Sequence, residues 1–369
     1  MSADPLRVAV DARCLNTGHL HGTSKMMHEL VRRTASSGAV HWTLLSTRHD
    51  RFHMWEQWSL PSSARRLGVD LLHAPAGTMP WWQPVPTVVT LHDTIAWQQD
   101  TDALPAGFYR DRLLPAAYER AAAIITTSNN ARRNILARWP ILKQKLHVIP
   151  RGVDERYLEA EADQQPMVIA DQVVREPYVL YVGGAAPLQR LAWALQAWAG
   201  SSEQRPTTMV VCGVETFARD AVSQIVRQMV PHSLHDRLIL APFIPDDDMP
   251  RLYMRASAVL YPGLRDGLGL PVIEAHAVGT PVLFSDVDEL SELKGPAAIV
   301  LPVDDLQAWI RALDLAVQSQ AHRAGPDRVA RAWAAQYSWD ACVDRTLAVY
   351  HDVAERHAVS HDLHPATHS

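Results

Sequence analysis

The sequence predicts an α/β protein built from two parallel-sheet domains. Two sets of short, nearly continuous apolar runs alternate with helical stretches, and a polar segment without periodicity separates the two sets. Apolar runs of this kind are typical of strands that are buried on both faces, as in a parallel sheet covered by helices. A length of 369 residues also exceeds what one ordinary hydrophobic core supports.

The predicted strands follow the apolar runs in chain order. In the first set they are Arg7–Asp11, His41–Leu45, Val69–His73, Thr87–Leu91, Ala123–Thr127 and Leu146–Ile149. In the second set they are Tyr178–Gly184, Thr208–Gly213, Arg237–Leu240, Ala258–Tyr261 and Pro281–Phe284. The polar stretch between the sets, Glu155–Glu176, is interpreted as an interdomain linker.

The predicted organisation has four parts. An N-terminal acceptor-side domain covers residues 1–160, and a C-terminal ligand-binding domain covers residues 161–338. A helix at 339–357 is expected to cross back to the first domain, and a flexible tail at 358–369 follows it. Because open α/β sheets bind ligands beyond the carboxyl ends of their strands, the two domains are expected to face each other across a ligand-binding cleft.

Composition excludes several classes of function. Hydrophobic residues make up 47% and charged residues 20%, which is a soluble globular balance. The net charge of −5 provides no broad basic field, so no nucleic-acid partner is expected. The three cysteines lack metal-ligand spacing. Neither a signal-peptide pattern nor an apolar run of roughly 20 residues is present, which predicts a cytoplasmic protein, including one held peripherally at the inner face of the membrane.

One stretch, RDGLGLPVIEAHAVGTPVL, starts at Arg265 and carries the main functional signal. A strand precedes it and a helix is expected to begin near Leu270. Gly267 and Gly269 allow positive φ and leave no side chain in the way of a ligand. The backbone N–H groups of Gly269 and Leu270 at such a helix start favour a phosphate.

Two carboxylates flank this glycine loop. Glu274 lies about one turn into the helix, where it can accept hydrogen bonds from the vicinal hydroxyls of a ribose. Asp266 precedes the loop and can accept from a sugar hydroxyl. A phosphate, a ribose and a sugar in a row describe a nucleotide-sugar, whereas the alternative is a plain βα turn with Glu274 as a surface acid.

The two acids are separated by seven residues and followed by Gly279-Thr280-Pro281. This pattern resembles the signature of retaining glycosyltransferases of the GT-B fold, family four. Further stretches resemble family motifs in the expected order over about residues 7–320. They are LHGTSKMMHEL from Leu20, VTLHD ending in His92 and Asp93, the Thr127-Ser128 helix start, and PRGVD from Pro150.

The resemblance implies a GT-B fold of two Rossmann-like parallel-sheet domains facing across a cleft, a nucleotide-sugar donor such as GDP-mannose, and no metal or other cofactor. It implies a polysaccharide or lipid-linked oligosaccharide acceptor, whose hydroxyl is deprotonated by the leaving phosphate. It also implies roles for individual residues. His92 and Asp266 would be the catalytic residues: His92 would hold the sugar or support charge at the reacting centre, and Asp266 would position the transferred sugar. Glu274 would bind the ribose. The residues that would face the donor diphosphate are Gly22, Lys25, Arg190, Gly269 and Leu270.

The family's two phosphate-binding cations are missing from their expected positions. The first position falls near Gly184 and the second at Gln189, one residue before Arg190. A one-residue shift turns a helical side chain by about 100°. An alternative is therefore a catalytically degenerate GT-B protein that acts as a partner or regulatory subunit. A glycoside hydrolase, another class that uses paired acids, is disfavoured by the phosphate-type loop between them.

Aromatic and basic side chains recur in the N-terminal half, for example around Trp81-Trp82 and Phe108. They allow peripheral membrane contact at a lipid-linked acceptor. They also fit the simpler interpretation of core aromatics. Trp81 and Trp82, bracketed by Pro80 and Pro84, are predicted to be exposed.

Overall fold

The structure of the chain, a computed structural model, describes most of the sequence. The described residues are 4–16, 22–35, 38–48, 53–92, 107–161, 165–184, 189–202, 206–214, 219–241, 244–264, 269–320 and 327–363. The chain divides into two compact units, Met1–Gly152 with Trp339–Ser369, and Val153–Ser338.

A six-stranded sheet forms the centre of the first unit. Its strands are β1 (Leu6–Asp11), β2 (Val40–Leu45), β3 (Leu71–Ala74), β4 (Thr87–Thr90), β5 (Ala123–Thr126) and β6 (Leu146–Val148). They lie in the order β2-β1-β3-β4-β5-β6, and every neighbouring pair is parallel. Every residue of β3, β4 and β5 is buried, as expected when helices cover both faces. The predicted strands of the first set are confirmed, with ends displaced by one or two residues.

A second six-stranded parallel sheet forms the centre of the other unit. A small antiparallel hairpin, β7 (Val168–Ile169) and β8 (Gln172–Val173), precedes it. The strands of the six-stranded sheet are β9 (Tyr178–Val182), β10 (Thr208–Cys212), β11 (Leu238–Ala241), β12 (Ala258–Tyr261), β13 (Val282–Ser285) and β14 (Ala298–Leu301). They lie in the order β11-β10-β9-β12-β13-β14. The predicted strands of the second set are confirmed, and β14 is an edge strand that the sequence analysis did not predict.

Helices surround both sheets. In chain order they are α1 (Thr23–Ala35), α2 (Leu60–Arg66), α3 (Leu114–Arg120), α4 (Asn129–Arg138), α5 (Glu155–Glu159), α6 (Leu191–Ser202), α7 (Arg219–Met229), α8 (Met249–Arg255), α9 (Leu270–Val278), α10 (Leu306–Gln320), α11 (Arg328–Ala334) and α12 (Trp339–Leu363). Two π-helical segments, Trp55–Ser59 and Tyr109–Leu113, run directly into α2 and α3. Within the described ranges, no helix has the length and apolar character needed to cross a membrane.

The units separate after Gly152, eight residues before the predicted boundary at 160. Val153 already pairs with Ser338, and its N–H donates to the Tyr337 carbonyl at 2.7 Å. The segment Glu155–Glu176, interpreted as a linker, contains α5 and the β7–β8 hairpin and belongs to the second unit. Elements of only two to five residues are too short to show a hydrophobic period, so the polar composition was misleading.

The C-terminal helix α12 packs on the first unit. The hydroxyl of Tyr350 lies 2.7 Å from Nδ1 of His73, and both side chains are buried. The predicted helix end at 357 was too early, since α12 continues to Leu363 and residues 358–363 are not a flexible tail. The first helix breaker after His357 is Pro365, which explains the longer helix. Residues 364–369 of the predicted tail lie outside the described residues.

Candidate functional site

The carboxyl edge of the first sheet collects the predicted residues of the N-terminal unit. His92 follows β4, and Thr127 and Ser128 follow β5. The Ser128 hydroxyl caps α4 by accepting from the Ala131 N–H at 3.0 Å. Because parallel strands end at the same edge, these groups lie on one side of the sheet, where open α/β sheets bind ligands.

Helix α1 begins beside this edge. Gly22, immediately before the helix, has a φ of +50°, a conformation that favours glycine. Lys25 lies in the first turn of α1 and is half-buried. The start of α1 therefore combines the positive end of a helix dipole with a nearby cation, the combination expected at an anion site.

Three polar neighbours within the first unit hold His92. Its Nε2 lies 3.0 Å from the Pro75 carbonyl oxygen and 2.9 Å from Oγ1 of Thr23. Its Nδ1 lies 3.2 Å from Nη2 of Arg151. Since Thr23 is the first residue of α1, the histidine connects the end of β4 to the start of that helix.

The environment of His92 keeps the imidazole neutral. Burial is the main cause that lowers its pKa from 6.5 to about 3, and the positive charge of Arg151 acts in the same direction. The Pro75 carbonyl favours the protonated ring but is outweighed. His92 therefore carries no charge at neutral pH.

Arg151 is a buried cation at this edge, with only 9% of its surface exposed. One of its terminal nitrogens, Nη1, lies 3.3 Å from the position that a Cβ on Gly22 would take. The next residue, Gly152, lies so close to the backbone of Trp339 that no side chain fits there. The main chain on one side of Arg151 is thus fixed against the start of α12, and its guanidinium reaches both Gly22 and His92.

The second unit carries the predicted nucleotide loop. Gly269 has a φ of +69° and immediately precedes α9, with Leu270 as its first helical residue and Pro271 in the first turn. A side chain on Gly269 would also collide with Leu293. The glycine is favoured here by its positive φ, and it starts the helix as the sequence predicted.

Glu274, one turn into α9, is held from within the second unit. The hydroxyl of Tyr253 on α8 donates to Oε2 of Glu274 at 2.7 Å. Tyr253 is completely buried and packs edge-to-face on Tyr157, with 5.5 Å between ring centroids. Burial, reinforced by the Glu274 carboxylate, raises the pKa of Tyr253 well above its usual value of 10, so the hydroxyl keeps its proton.

The positions of the expected phosphate-binding cations carry no positive side chain. The hydroxyl of Tyr181 donates to the carbonyl oxygens of Gly184 and Gln189, at 3.0 and 3.2 Å. Arg190 donates to the Val303 carbonyl at 2.6 Å and lies over the Trp193 ring, 4.1 Å from its centroid. Its second partner is the Asp304 carboxylate, at 3.3 Å. Its charge is therefore engaged within the second unit, and its predicted role at the donor diphosphate stays a prediction.

A buried carboxylate joins the two π-helical segments of the first unit. Glu56 is completely buried and accepts from Thr78 Oγ1 at 2.6 Å, from Arg13 at 2.5 Å and from the Tyr109 hydroxyl. Burial and this carboxylate raise the pKa of Tyr109 well above its usual value. The cluster joins the segment that carries the exposed Trp58 to the segment that the exposed Phe108 immediately precedes.

The tryptophans divide between core and surface. Trp198, Trp309 and Trp339 are among the largest fully buried side chains. Trp81 is 44% exposed, whereas Trp82 is half-buried. The prediction of two exposed tryptophans in the Pro-bracketed loop is therefore confirmed for Trp81 and wrong for Trp82.

Some predicted site residues fall outside the described residues, namely Asp266, Gly267 and Asp93. Tyr253 and Thr23 are contacts of site residues that the sequence analysis missed. Tyr253 lies 21 positions before Glu274 in a stretch without any recognisable motif. Thr23 lies inside the glycine motif that begins at Leu20, so its hydroxyl could have been recognised there as a possible hydrogen-bonding group.

Two family models match the chain in succession. The Glycosyltransferase Family 4 model matches residues 21–157, and the Glycosyl transferases group 1 model matches residues 169–356. Among curated proteins, the chain is 25% identical to O-antigen chain mannosyltransferase B of Escherichia coli, over 66% of this chain and 64% of that protein. It is also 25% identical to an MMP alpha-(1->4)-mannosyltransferase of Mycolicibacterium hassiacum, over 73% of this chain and 66% of that protein. Each alignment thus spans just under two thirds of the relative's length.

Solved structures share the fold. Sucrose-phosphate synthase of Thermosynechococcus elongatus superposes with a TM-score of 0.72 at 18% identity, covering 94% of this chain and 99% of that one. Anabaena HepE, solved with UDP and glucose, superposes with a TM-score of 0.67 at 14% identity, covering 92% and 98%. The chain therefore belongs to the glycosyl transferases group 1 family, and its resemblance to family-four glycosyltransferases of the GT-B fold is confirmed.

Proposed function

We propose that the chain is a retaining glycosyltransferase that moves a hexose from a nucleotide-sugar to a polysaccharide or lipid-linked oligosaccharide acceptor. The observation that carries the proposal is the start of α9. Gly269 adopts positive φ there, and Glu274 is held one turn further along by a buried tyrosine. A helix start next to a fixed carboxylate matches the phosphate and ribose of one nucleotide.

Each candidate site residue has a proposed role. In the second unit, the N–H groups of Gly269 and Leu270 receive the diphosphate and Glu274 accepts from the ribose. In the first unit, Gly22 and Lys25 face the diphosphate and His92 faces the transferred sugar. Asp266 positions that sugar in the same proposal. Catalysis of this kind rests on orientation and on stabilising negative charge at the leaving group, with no metal required.

Mannose is the proposed sugar and GDP the proposed nucleotide. The support comes from relatives named as mannosyltransferases, among them O-antigen chain mannosyltransferases of Escherichia coli and Salmonella typhimurium. UDP is the principal competitor, because HepE was solved with UDP and glucose. A surface-glycan acceptor follows from the same relatives' names.

The exposed aromatics of the first unit support peripheral membrane contact during transfer to a lipid-linked acceptor. Trp58, Trp81 and Phe108 are each more than 40% exposed. Arg120 lies over the Trp81 ring, with its guanidinium carbon 4.9 Å from the ring centroid. Tryptophan beside arginine suits the polar boundary of an anionic bilayer.

A second candidate function is a catalytically degenerate partner or regulatory subunit. The favouring observation is that Gly184 and Gln189 are neutral while Arg190 is engaged by Val303, Asp304 and Trp193. Losing one contact that stabilises charge at the reacting group typically costs about 10²–10³ in rate. Two such losses without replacement would leave a chain that binds a nucleotide-sugar but does not transfer the sugar.

A thermal-shift screen against GDP, UDP, dTDP and their sugar conjugates, without added metal, tests the proposal. A ligand at about 100 times its Kd adds about 2.7 kcal/mol to the unfolding free energy. The proposal expects one nucleotide to stabilise the protein and Glu274→Ala to abolish that effect. Stabilisation by none of these ligands would contradict the donor-site assignment.

A further inference from the structure

The partners of His92 fix its tautomer. An arginine side chain has only donors and a carbonyl oxygen only accepts. Nδ1, 3.2 Å from Arg151, must therefore be the bare acceptor nitrogen, and Nε2, 3.0 Å from the Pro75 oxygen, must carry the proton. Two independent neighbours require the same form of the ring.

This tautomer determines what the Thr23 hydroxyl can do. Oγ1 of Thr23 lies 2.9 Å from Nε2, which already carries a hydrogen and has no lone pair in the ring plane. Thr23 can only accept at that contact, where it shares the single Nε2–H with the Pro75 oxygen. Its own O–H hydrogen must therefore point away from the imidazole, at the start of α1 and next to Gly22.

We propose that Arg151, His92 and Thr23 form a hydrogen-bond relay that presents the Thr23 hydroxyl as a donor to the anionic group received beside Gly22. In this relay Thr23 contacts the ligand, whereas Arg151 and His92 are positioning residues. The identification of that ligand as a donor diphosphate rests on the proposed function. The relay also means that His92 takes no proton from an acceptor, because neither ring nitrogen has an available lone pair.

The surroundings of the relay support a fixed geometry. The groups that face His92 are Arg151, Thr23 and the Pro75 carbonyl, with the buried His73 as a more distant titratable neighbour. Burial and the Arg151 charge both disfavour the imidazolium form. Asp93 lies outside the described residues.

The first test is spectroscopic and needs no turnover. Long-range ¹H–¹⁵N spectra of histidine-labelled protein report which ring nitrogen carries the proton, and His92→Asn identifies the His92 signal. The relay predicts a neutral Nε2–H ring from pH 8 down to pH 5. Arg151→Lys should preserve this form because it retains a donor. Arg151→Met should raise the pKa of His92 only in part, because burial remains the main cause that lowers it. An Nδ1–H ring in the unaltered protein would overturn the relay.

The second test measures the affinity for the nucleoside diphosphates GDP, UDP and dTDP by calorimetry. Thr23→Val removes the hydroxyl with little change in shape and should weaken binding about tenfold, whereas Thr23→Ser should restore it. The double variant Thr23→Val, Arg151→Met should lose little more nucleotide affinity than Thr23→Val alone, because both changes act on the same donor, the Thr23 hydroxyl. Thr23→Val should also leave the His92 tautomer unchanged.

The outcomes separate the relay from the proposed function. If Thr23→Val leaves nucleotide affinity unaltered, the relay is overturned and the proposed function stands. The same holds if the losses of affinity in the double variant are independent and add up. No nucleotide binding by the unaltered protein would contradict the proposed function and remove the ligand assigned to Thr23. In that event the tautomer spectra still decide whether Arg151 fixes His92.

Discussion

Tyr253→Phe is the change that most directly probes how the fold holds the proposed ribose ligand. It removes one hydroxyl group, 2.7 Å from Oε2 of Glu274, and leaves the ring in place. Tyr253 is completely buried and keeps its edge-to-face contact with Tyr157 in the variant. The main loss is therefore a hydrogen bond to a carboxylate.

The size of the effect follows from that bond. Hydrogen bonds to charged groups contribute about 1.5–3 kcal/mol to stability. In a unit of this size, the midpoint of unfolding should fall by roughly 2–4 °C for each kcal/mol. Because Glu274 also loses the hydrogen bond from Tyr253 that helps to orient its carboxylate, the affinity for the donor nucleotide should fall by about tenfold or more.

The assay combines thermal unfolding with calorimetric titration of the nucleotide. Tyr178→Phe is the matched control, because Tyr178 is equally buried in the second unit but donates to the Leu252 carbonyl at 2.6 Å instead of to Glu274. Both variants should lose stability, and only Tyr253→Phe should lose nucleotide affinity. Equal affinity losses in the two variants would refute the claim that Tyr253 positions Glu274.

Three further predictions concern the rest of the molecule. His73 has its pKa lowered from 6.5 to about 3 by burial, so the unfolded chain takes up a proton that the folded chain does not. Stability should thus fall as pH drops from about 6.5 towards 3, by up to about 1.4 kcal/mol per pH unit, and His73→Asn should flatten the slope in urea unfolding. Gly295→Ala would place a Cβ 2.5 Å from the buried His276 ring and should cost about 1–3 kcal/mol in urea unfolding. Gly107→Ala meets no atom of the described residues within 4 Å and should be nearly neutral in the same measurement. Gln189→Lys places a cation where the family resemblance expects one and should tighten nucleoside-diphosphate binding about tenfold, as measured by calorimetry. Unchanged binding would argue against aligning Gln189 with the family's phosphate-binding cation.

Both sheets could be predicted from the sequence because buried parallel strands leave continuous apolar runs such as Tyr178–Val182. The edge strand β14 was missed because three of its four residues are only half-buried, so its signal is weaker. The unit boundary was misplaced because pairing between Val153 and Ser338 joins residues far apart in sequence. Local periodicity carries no information about such a contact.

In the candidate site, too, local features could be predicted from the sequence, whereas contacts between distant residues could not. The glycine at 269 and the helix that follows it could be read from a short motif, because positive φ and a helix start are local properties. The contacts of Glu274 with Tyr253 and of His92 with Arg151 depend on chain segments 21 and 59 positions apart. Arg190 shows that a cation near the expected position can be engaged elsewhere, here by the Val303 carbonyl.

Donor cleavage tests the central claim most directly, because water can replace an unidentified acceptor. The protein is incubated with GDP-mannose, and in parallel with UDP- and dTDP-sugars, while ³¹P NMR follows the nucleoside diphosphate and ¹H NMR follows the first sugar anomer released. A retaining transferase should release nucleoside diphosphate from one donor and a sugar that initially has the donor's anomeric configuration, and Glu274→Ala should abolish both signals. Nucleotide binding without release above the Glu274→Ala background would contradict the account and favour the degenerate partner.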